Sequence, residues 1–148
     1  MPPGPKSGSL GAMADPLTPH GGFADLVGYE LGAWREDYAE VTLVVAARHI
    51  NRSGVMHGGV LSTLIDTACG YCGTHSPEPG HRRRAFTVTL TSQFIASAPL
   101  GAKLTAAAQR TGGGRQIFFS TCDVTDEDGR LIGKGDGVFK YLRDRPDG

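Results

Sequence analysis

The residues of this chain that are best suited to chemistry lie between positions 51 and 66, which read NRSGVMHGGVLSTLID. A polar side chain, Asn51, is followed by His57 and by two adjacent glycines, Gly58 and Gly59, which open an apolar-periodic segment. Glycines at a helix start leave backbone N–H groups uncovered, and the positive end of the helix dipole points the same way. Such donors can stabilise a carbonyl oxygen that gains negative charge.

A single carboxylate, Asp66, lies two turns inside the predicted helix. At about 100° per residue its face otherwise carries small residues, namely Gly59, Ser62, Thr63, Gly70, Gly73 and Thr74. The opposite face is apolar and wide enough to fill a core, with Val60, Leu61, Leu64, Ile65, Ala68, Cys69 and Cys72. Because small residues permit close approach, we expect Asp66 to lie in a crevice against a second subunit. The alternative is an ordinary surface aspartate.

The chain has 148 residues, and its length and composition predict one soluble domain, at 20–143. We expect a disordered leader at 1–19 and a tail at 144–148. The chain has 15 basic and 15 acidic residues, so its charge favours neither a nucleic-acid nor a membrane partner. No apolar run approaches the roughly 18 residues of a membrane span. Three cysteines without a signal peptide predict a cytoplasmic protein with free thiols.

Other catalytic chemistries find little support in the sequence. There is no G-x-S-x-G motif, and the five histidines show no recognised metal spacing, so we predict no metal site. Cys69 and Cys72 form a C-x-x-C pair, but both fall on the apolar face and are expected in the core.

The element pattern predicts an α+β fold. A short helix at 22–27 and a long one at 58–74 accompany six strand signals, at 29–35, 38–48, 85–96, 103–111, 115–125 and 130–142. The turns between the last four strands are short, at 99–101, 112–114 and 126–129, and so is the turn of the first hairpin, which indicates antiparallel pairing. We therefore expect a six-stranded antiparallel sheet wrapped around one long central helix.

Several residues have two interpretations. Arg115 follows three glycines that resemble a hairpin turn, yet it could contact a phosphate. The arginines at 82–84 indicate either a solvated surface or an anionic ligand. His57 could act as a base, or it could fix its loop through hydrogen bonds.

The chain resembles the hotdog-fold thioesterases of the phenylacetate-pathway (PaaI-like) branch over about residues 22–142. The resemblance rests on Asn51-x-x-Gly54-x-x-His57-Gly58-Gly59, on Asp66 nine residues after the histidine, and on the strand segment GKGDGVF at 133–139. It implies hydrolysis of acyl-CoA thioesters by homodimers or homotetramers with active sites between subunits. CoA is then part of the substrate, and no further cofactor is implied.

The resemblance also implies roles for single residues. Asp66 would be the nucleophile or the base for water, and the backbone N–H of Gly58 would polarise the thioester carbonyl. Asn51 would position substrate or water, and Thr89, on the same subunit as Asp66, would assist the water. The positions implied for CoA contacts are Gly113, Gly114, Arg115, Gln116 and Lys140.

Two alternatives to a thioesterase stay open. A non-catalytic acyl-CoA-binding module of the same fold would not need Asp66, which argues against it. A dehydratase would need an acid partner for His57, and Asp66 lies two turns away from it along the helix.

Overall fold

The computed structural model describes residues 22–78, 81 and 83–143, so the predictions for 1–19 and 144–148 lie outside the described residues. Two helices and six strands follow one another in the order α1 (Gly22–Val27), β1 (Glu30–Arg35), β2 (Tyr38–Val44), α2 (Gly58–Cys72), β3 (Ala85–Phe94), β4 (Lys103–Gly113), β5 (Ile117–Thr125) and β6 (Leu131–Tyr141). Neither of the described helices has the length and hydropathy needed to cross a membrane.

The six strands form one antiparallel sheet in the order β1-β2-β4-β5-β6-β3, which confirms the predicted fold. The short connection at 99–101 does not form a hairpin as the sequence predicts, because β3 pairs with β6 and not with β4. Short turns join β4 to β5 and β5 to β6. The first of these depends on Gly113, whose φ is 130° and whose added Cβ would meet the carbonyl oxygen of Ile117. The second is closed by Asp126, whose carboxylate accepts the N–H groups of Asp128 and Arg130, both at 2.9 Å.

Helix α2 packs its apolar face into the curve of the sheet. Its buried residues are Leu61, Leu64, Ile65, Ala68, Cys69 and Cys72, as the periodicity predicts. They join inward-facing side chains of the strands, such as Val41, Leu104 and Phe118, in one core cluster. The two cysteines of the C-x-x-C pair are therefore core residues. Burial raises the pKa of the Cys72 thiol to about 12, so that thiol stays protonated at neutral pH.

Strand β2 is shorter than the sequence predicts. It ends at Val44 instead of 48, and Ala47–His49 forms a turn of 3-10 helix. The cause is local: Nδ1 of His49 accepts the N–H of Ala46 at 2.8 Å, which replaces a ladder bond by a side-chain bond. His49 is buried, and its Nε2 lies 2.7 Å from the carbonyl oxygen of Val27. This ties α1 to the loop that leads into α2.

Strand β3 is an edge strand with a bulge at Val88. Within the described residues β3 pairs only with β6, and Phe86, Val88, Phe94 and Ile95 are exposed along or beside it. Thr87 stands opposite Phe139, whereas Thr89 stands opposite Val138, so Val88 is one residue in excess. Because neighbouring residues of β6 point to opposite faces, the bulge turns Thr87 toward α2 and Thr89 away from it.

We expect Gly73→Ala to lower the free energy of unfolding by about 1–3 kcal/mol, because its Cβ would overlap the ring of the buried Phe118. Gly114→Ala is the matched control, since nothing lies within 4 Å of its Cβ position and the change should stay within about 0.5 kcal/mol. Urea denaturation of both variants measures the difference. Equal midpoints would contradict the packing described for the end of α2.

Candidate active site

Asn51 holds the loop that precedes α2. Its side-chain oxygen accepts the N–H groups of Ser53 at 2.9 Å and Val55 at 3.2 Å, and its own N–H donates to the Val55 carbonyl at 2.7 Å. Gly54 has a φ of 82°, which the tight turn requires and which side chains rarely adopt. The oxygen of Asn51 is thus used within its own loop.

His57 is the N-cap of α2. Its Nδ1 accepts the N–H of Gly59 at 2.8 Å, and its backbone N–H donates to the His49 carbonyl at 2.7 Å. An Nδ1 that accepts carries no proton, so the ring is neutral in this arrangement with its proton on Nε2. The geometry agrees with the interpretation that His57 fixes its loop. If His57 also transferred a proton, it would do so at Nε2, because Nδ1 is engaged by Gly59.

Gly58 provides the remaining donor at the start of α2. Of the first three helical N–H groups, that of Gly59 bonds to His57 Nδ1 and that of Val60 to the His57 carbonyl at 3.0 Å. The N–H of Gly58 has no acceptor among the described residues, and it stands at the positive end of the helix dipole. The Phe94 ring lies beside it, with Cε1 3.1 Å from the position of an added Cβ. This donor is available to a carbonyl oxygen.

Asp66 is held by a hydroxyl from β3. Oγ1 of Thr87 donates to Oδ1 of Asp66 at 2.6 Å, and the aspartate is half-buried. Sequence reasoning named Thr89 and missed Thr87. Both lie in the segment TVT, and regular alternation would place both on one face, whereas the bulge at Val88 separates them. The bond fixes one carboxylate oxygen and leaves Oδ2 for a reactant.

The small-residue face of α2 meets the chain's own sheet over much of its length. An added Cβ at Gly70 would lie 3.4 Å from the Phe139 ring, and one at Gly73 would overlap Phe118. Ser62 Oγ donates to Ser92 Oγ of β3 at 3.2 Å. Gly73 is thus buried against the chain's own sheet, which contradicts the expectation that this residue packs on a second subunit. Ser62 and Gly70 contact the sheet but stay half-buried, so for them the packing on a second subunit stays a prediction.

A cleft of about 420 Å³ opens beside Asp66, and we call it the Asp66 cleft. Its walls are aromatic, formed by Trp34, Tyr71 and Phe139, with Thr87 beside Asp66 at one end and Arg83 and Arg84 also lining it. Trp34 is fixed by a bond from Nε1 to the Tyr71 carbonyl at 2.9 Å and by an edge-on contact with the Tyr71 ring, 5.2 Å between centroids. One wall of the cleft is thus fixed in place.

A second cavity, of about 440 Å³, adjoins the first, and we call it the basic groove. It brings together Arg115, Gln116 and Lys140, three of the residues that the resemblance implies for CoA contacts. The other charged or titratable residues that line it are His81, Arg83, Arg84, Tyr141 and Arg143, and none of the aspartates and glutamates in the described part of the chain lines it. Gly113 and Gly114 form the neighbouring turn, with the Gly114 N–H bonded to the Ile117 carbonyl at 2.8 Å.

Comparison with known proteins finds thioesterases and esterases. The model of the thioesterase superfamily matches residues 53–132 of this chain. A Pseudomonas aeruginosa protein whose name assigns it provisionally to the esterases is 35% identical over 109 residues, which cover 71% of this chain and 78% of that protein. Mouse acyl-coenzyme A thioesterase 13 is 28% identical over 95 residues, 62% of this chain and 64% of that enzyme.

Among solved structures, the PaaI protein from the phenylacetic acid degradation operon of Escherichia coli is similar to this chain. The TM-score is 0.70 and the identity 25%, and the superposition covers 81% of this chain and 83% of that one. The hotdog arrangement of six strands around one long helix is thus shared with a solved protein.

We expect His57→Ala to lower the free energy of unfolding by about 1 kcal/mol, because the Gly59 N–H loses its acceptor. His57→Asn should retain most of the stability, since asparagine is a good N-cap. Thermal unfolding of both variants beside the parent measures the effect. Equal losses in the alanine and asparagine variants would show that the imidazole acts through another contact.

Proposed function

Because this chain belongs to the thioesterase superfamily, we propose that it hydrolyses acyl-CoA thioesters to a free acid and CoA. The observation that carries the proposal is the Asp66 carboxylate, held at 2.6 Å by Thr87 at one end of an aromatic cleft. The name of the mouse relative, acyl-coenzyme A thioesterase 13, supports CoA as the thiol of the substrate.

The residues suit a thioester better than an ester or an amide. A thiolate leaves easily, because its conjugate acid has a pKa near that of cysteine, about 8.5, so little general-acid help is needed. In one route the free oxygen of Asp66 attacks the carbonyl carbon, expels the CoA thiolate and forms an anhydride that water then cleaves. In the other, Asp66 takes a proton from water while the water oxygen attacks the same carbon, and the C–S bond then breaks to release the CoA thiolate, which can take up that proton.

The Gly58 N–H has the character of an oxyanion donor. It lies at a helix start and has no acceptor among the described residues, so it can bind the carbonyl oxygen as charge develops there. The neighbouring Gly59 N–H cannot do so while it is bonded to His57. We propose that Asn51 fixes this loop through its side-chain oxygen and positions substrate or water through its side-chain amide N–H groups.

One protomer cannot bring Gly58 and Asp66 to the same carbonyl group. Eight residues separate them on α2, which corresponds to about 12 Å along the helix axis. Two copies with antiparallel helices would place Gly58 of one beside Asp66 of the other. The open edge of β3, with Phe86 and Val88 exposed, is the surface on which two copies would pair, in a homodimer or in a homotetramer of two such pairs.

We propose that the basic groove binds the phosphates of CoA through Arg115, Gln116 and Lys140. Three cations of the groove (Arg115, Lys140 and Arg143) have no ion-pair partner among the described residues, which suits a polyanionic ligand. Gly113 and Gly114 would keep the turn low enough for the ligand to approach.

We expect the protein to release free thiol from at least one acyl-CoA without added metal, and Asp66→Asn to lower kcat by about 10²-fold or more. Thr87→Val should lower kcat about 10-fold, because the carboxylate loses a charge-assisted hydrogen bond. Thr89→Val is the matched variant and should have little effect. A larger loss of kcat in Thr89→Val than in Thr87→Val would show that Thr89 assists the water, as the resemblance implies. Thiol release no faster than the buffer blank across a broad panel of acyl-CoA thioesters would favour a non-catalytic acyl-CoA-binding module.

We expect Gly58→Pro to lower kcat by about 10²–10³-fold, because proline removes the donor yet fits a first helical turn. Gly58→Ala keeps the N–H and should be mild, since the exposed Phe94 ring can move slightly. Circular dichroism of both variants is used to check that they fold before their rates are compared.

Co-expression of Gly58→Pro with Asp66→Asn tests the shared site. A mixed dimer keeps one site with both groups intact, so random assembly should restore about a quarter of the parent activity. Activity no higher than that of either variant alone would contradict a site built from two copies.

A further inference from the structure

We propose that the Asp66 cleft selects acyl groups that carry a carboxylate at the end remote from the thioester, with Arg83 and Arg84 as the groups that bind this anion. The inference rests on the proposed hydrolysis of acyl-CoA and adds the class of acyl group. Two arginines of the run at 82–84, Arg83 and Arg84, line the cleft together with Asp66, and the proposed hydrolysis gives neither of them a role.

Arg83 is held in a fixed place. Its guanidinium lies over the Tyr141 ring, 4.1 Å from the centroid, and the Tyr141 hydroxyl donates to the Gly73 carbonyl at 2.6 Å. Arg83 therefore lies near the end of α2, whereas Asp66 lies about two turns earlier on the same helix. A guanidinium stacked on a ring keeps its N–H edges free for a carboxylate.

The charge of the cleft is unbalanced at this end. Among the described residues that line it, Asp66 is the only acid, and it is engaged by Thr87. Neither Arg83 nor Arg84 forms an ion pair within the described part of the chain, where Arg110–Asp37 is the pair observed. A ligand that fills the cleft thus meets a carboxylate at one end and, near the other, two cations without an ion pair among the described residues. Arg83 also lines a neighbouring cavity with Glu36, Asp37 and Glu78.

The length of the cleft favours the acyl group over the CoA arm. From Asp66 to the end of α2 at Cys72 the helix rises about 9 Å, and Thr74, just beyond that end, also lines the cleft. The pantetheine arm is as long as about four extended residues, roughly 14 Å before the first phosphate. It is also rich in amides, whereas the walls are Trp34, Tyr71 and Phe139. A single ring or a short alkyl chain that ends in a carboxylate fits both the walls and the arginines.

The test compares matched thioesters: benzoyl-CoA with 4-carboxybenzoyl-CoA, and hexanoyl-CoA with its ω-carboxylated counterpart. Calorimetric affinities are measured in the Asp66→Asn background, so the result does not depend on turnover, and kcat/KM is measured in the parent. We expect the carboxylated member of each pair to be favoured about 10-fold or more. Arg83→Met and Arg84→Met should each lower the affinity for the carboxylated member more than for the neutral member, so that most of the preference is lost. The neutral member reports any part of the loss that comes from CoA in the basic groove, which both arginines also line.

Arg35→Met is the matched control, because Arg35 also stacks on a tyrosine, 3.8 Å above Tyr38, and lines neither cavity. The same pairs made as pantetheine thioesters, which lack the nucleotide phosphates, should show the same preference. Preference without hydrolysis would support this inference and refute the proposed activity. Hydrolysis without preference, or an equal loss for both members in the arginine variants, would overturn it, and the second result would assign the arginines to the CoA phosphates.

Discussion

The burial of the apolar face of α2 against the curved sheet is the constraint on which the remaining geometry depends. Leu61, Leu64 and Ile65 are almost wholly removed from water, and each such side chain contributes about 1.5–3 kcal/mol relative to exposure. Their burial fixes the rotation of the helix about its axis. Once that rotation is fixed, Asp66 can only face the cleft beside β3, and the N–H of Gly58 can only point out of the N-terminal end.

The polar groups around the site hold its backbone and its carboxylate in place. Asn51 and His57 use side-chain acceptors to hold the loop and the first helical turn, and Thr87 holds the carboxylate. Each bond satisfies a donor that would otherwise need water. The groups are therefore held in place in the free protein, which is the fixed geometry that the proposed oxyanion donor requires.

Sequence reasoning predicted the fold well because the fold follows from periodicity. The apolar stripe of α2 and the short turns between the late strands determine the layer order, and both can be counted in the sequence. What the sequence could not show were contacts that depend on register. The choice of Thr87 over Thr89 requires the bulge, the early end of β2 requires the His49 side chain, and the cover over Gly70 and Gly73 requires the curl of β3, β5 and β6. The meeting of Arg83 with Arg115 and Lys140 likewise joins residues from distant parts of the chain.

The bulge at Val88 has a consequence for how this strand can change in evolution. Each residue after the bulge takes the face of its partner on β6, so removing Val88 would restore regular pairing and leave Ser92 and Phe94 on their present faces. An insertion where the pairing is regular would instead shift the register and turn the residues beyond it to the opposite face. The length of β3 is therefore least constrained at the bulge, and insertions are better accommodated in the loop that precedes the strand.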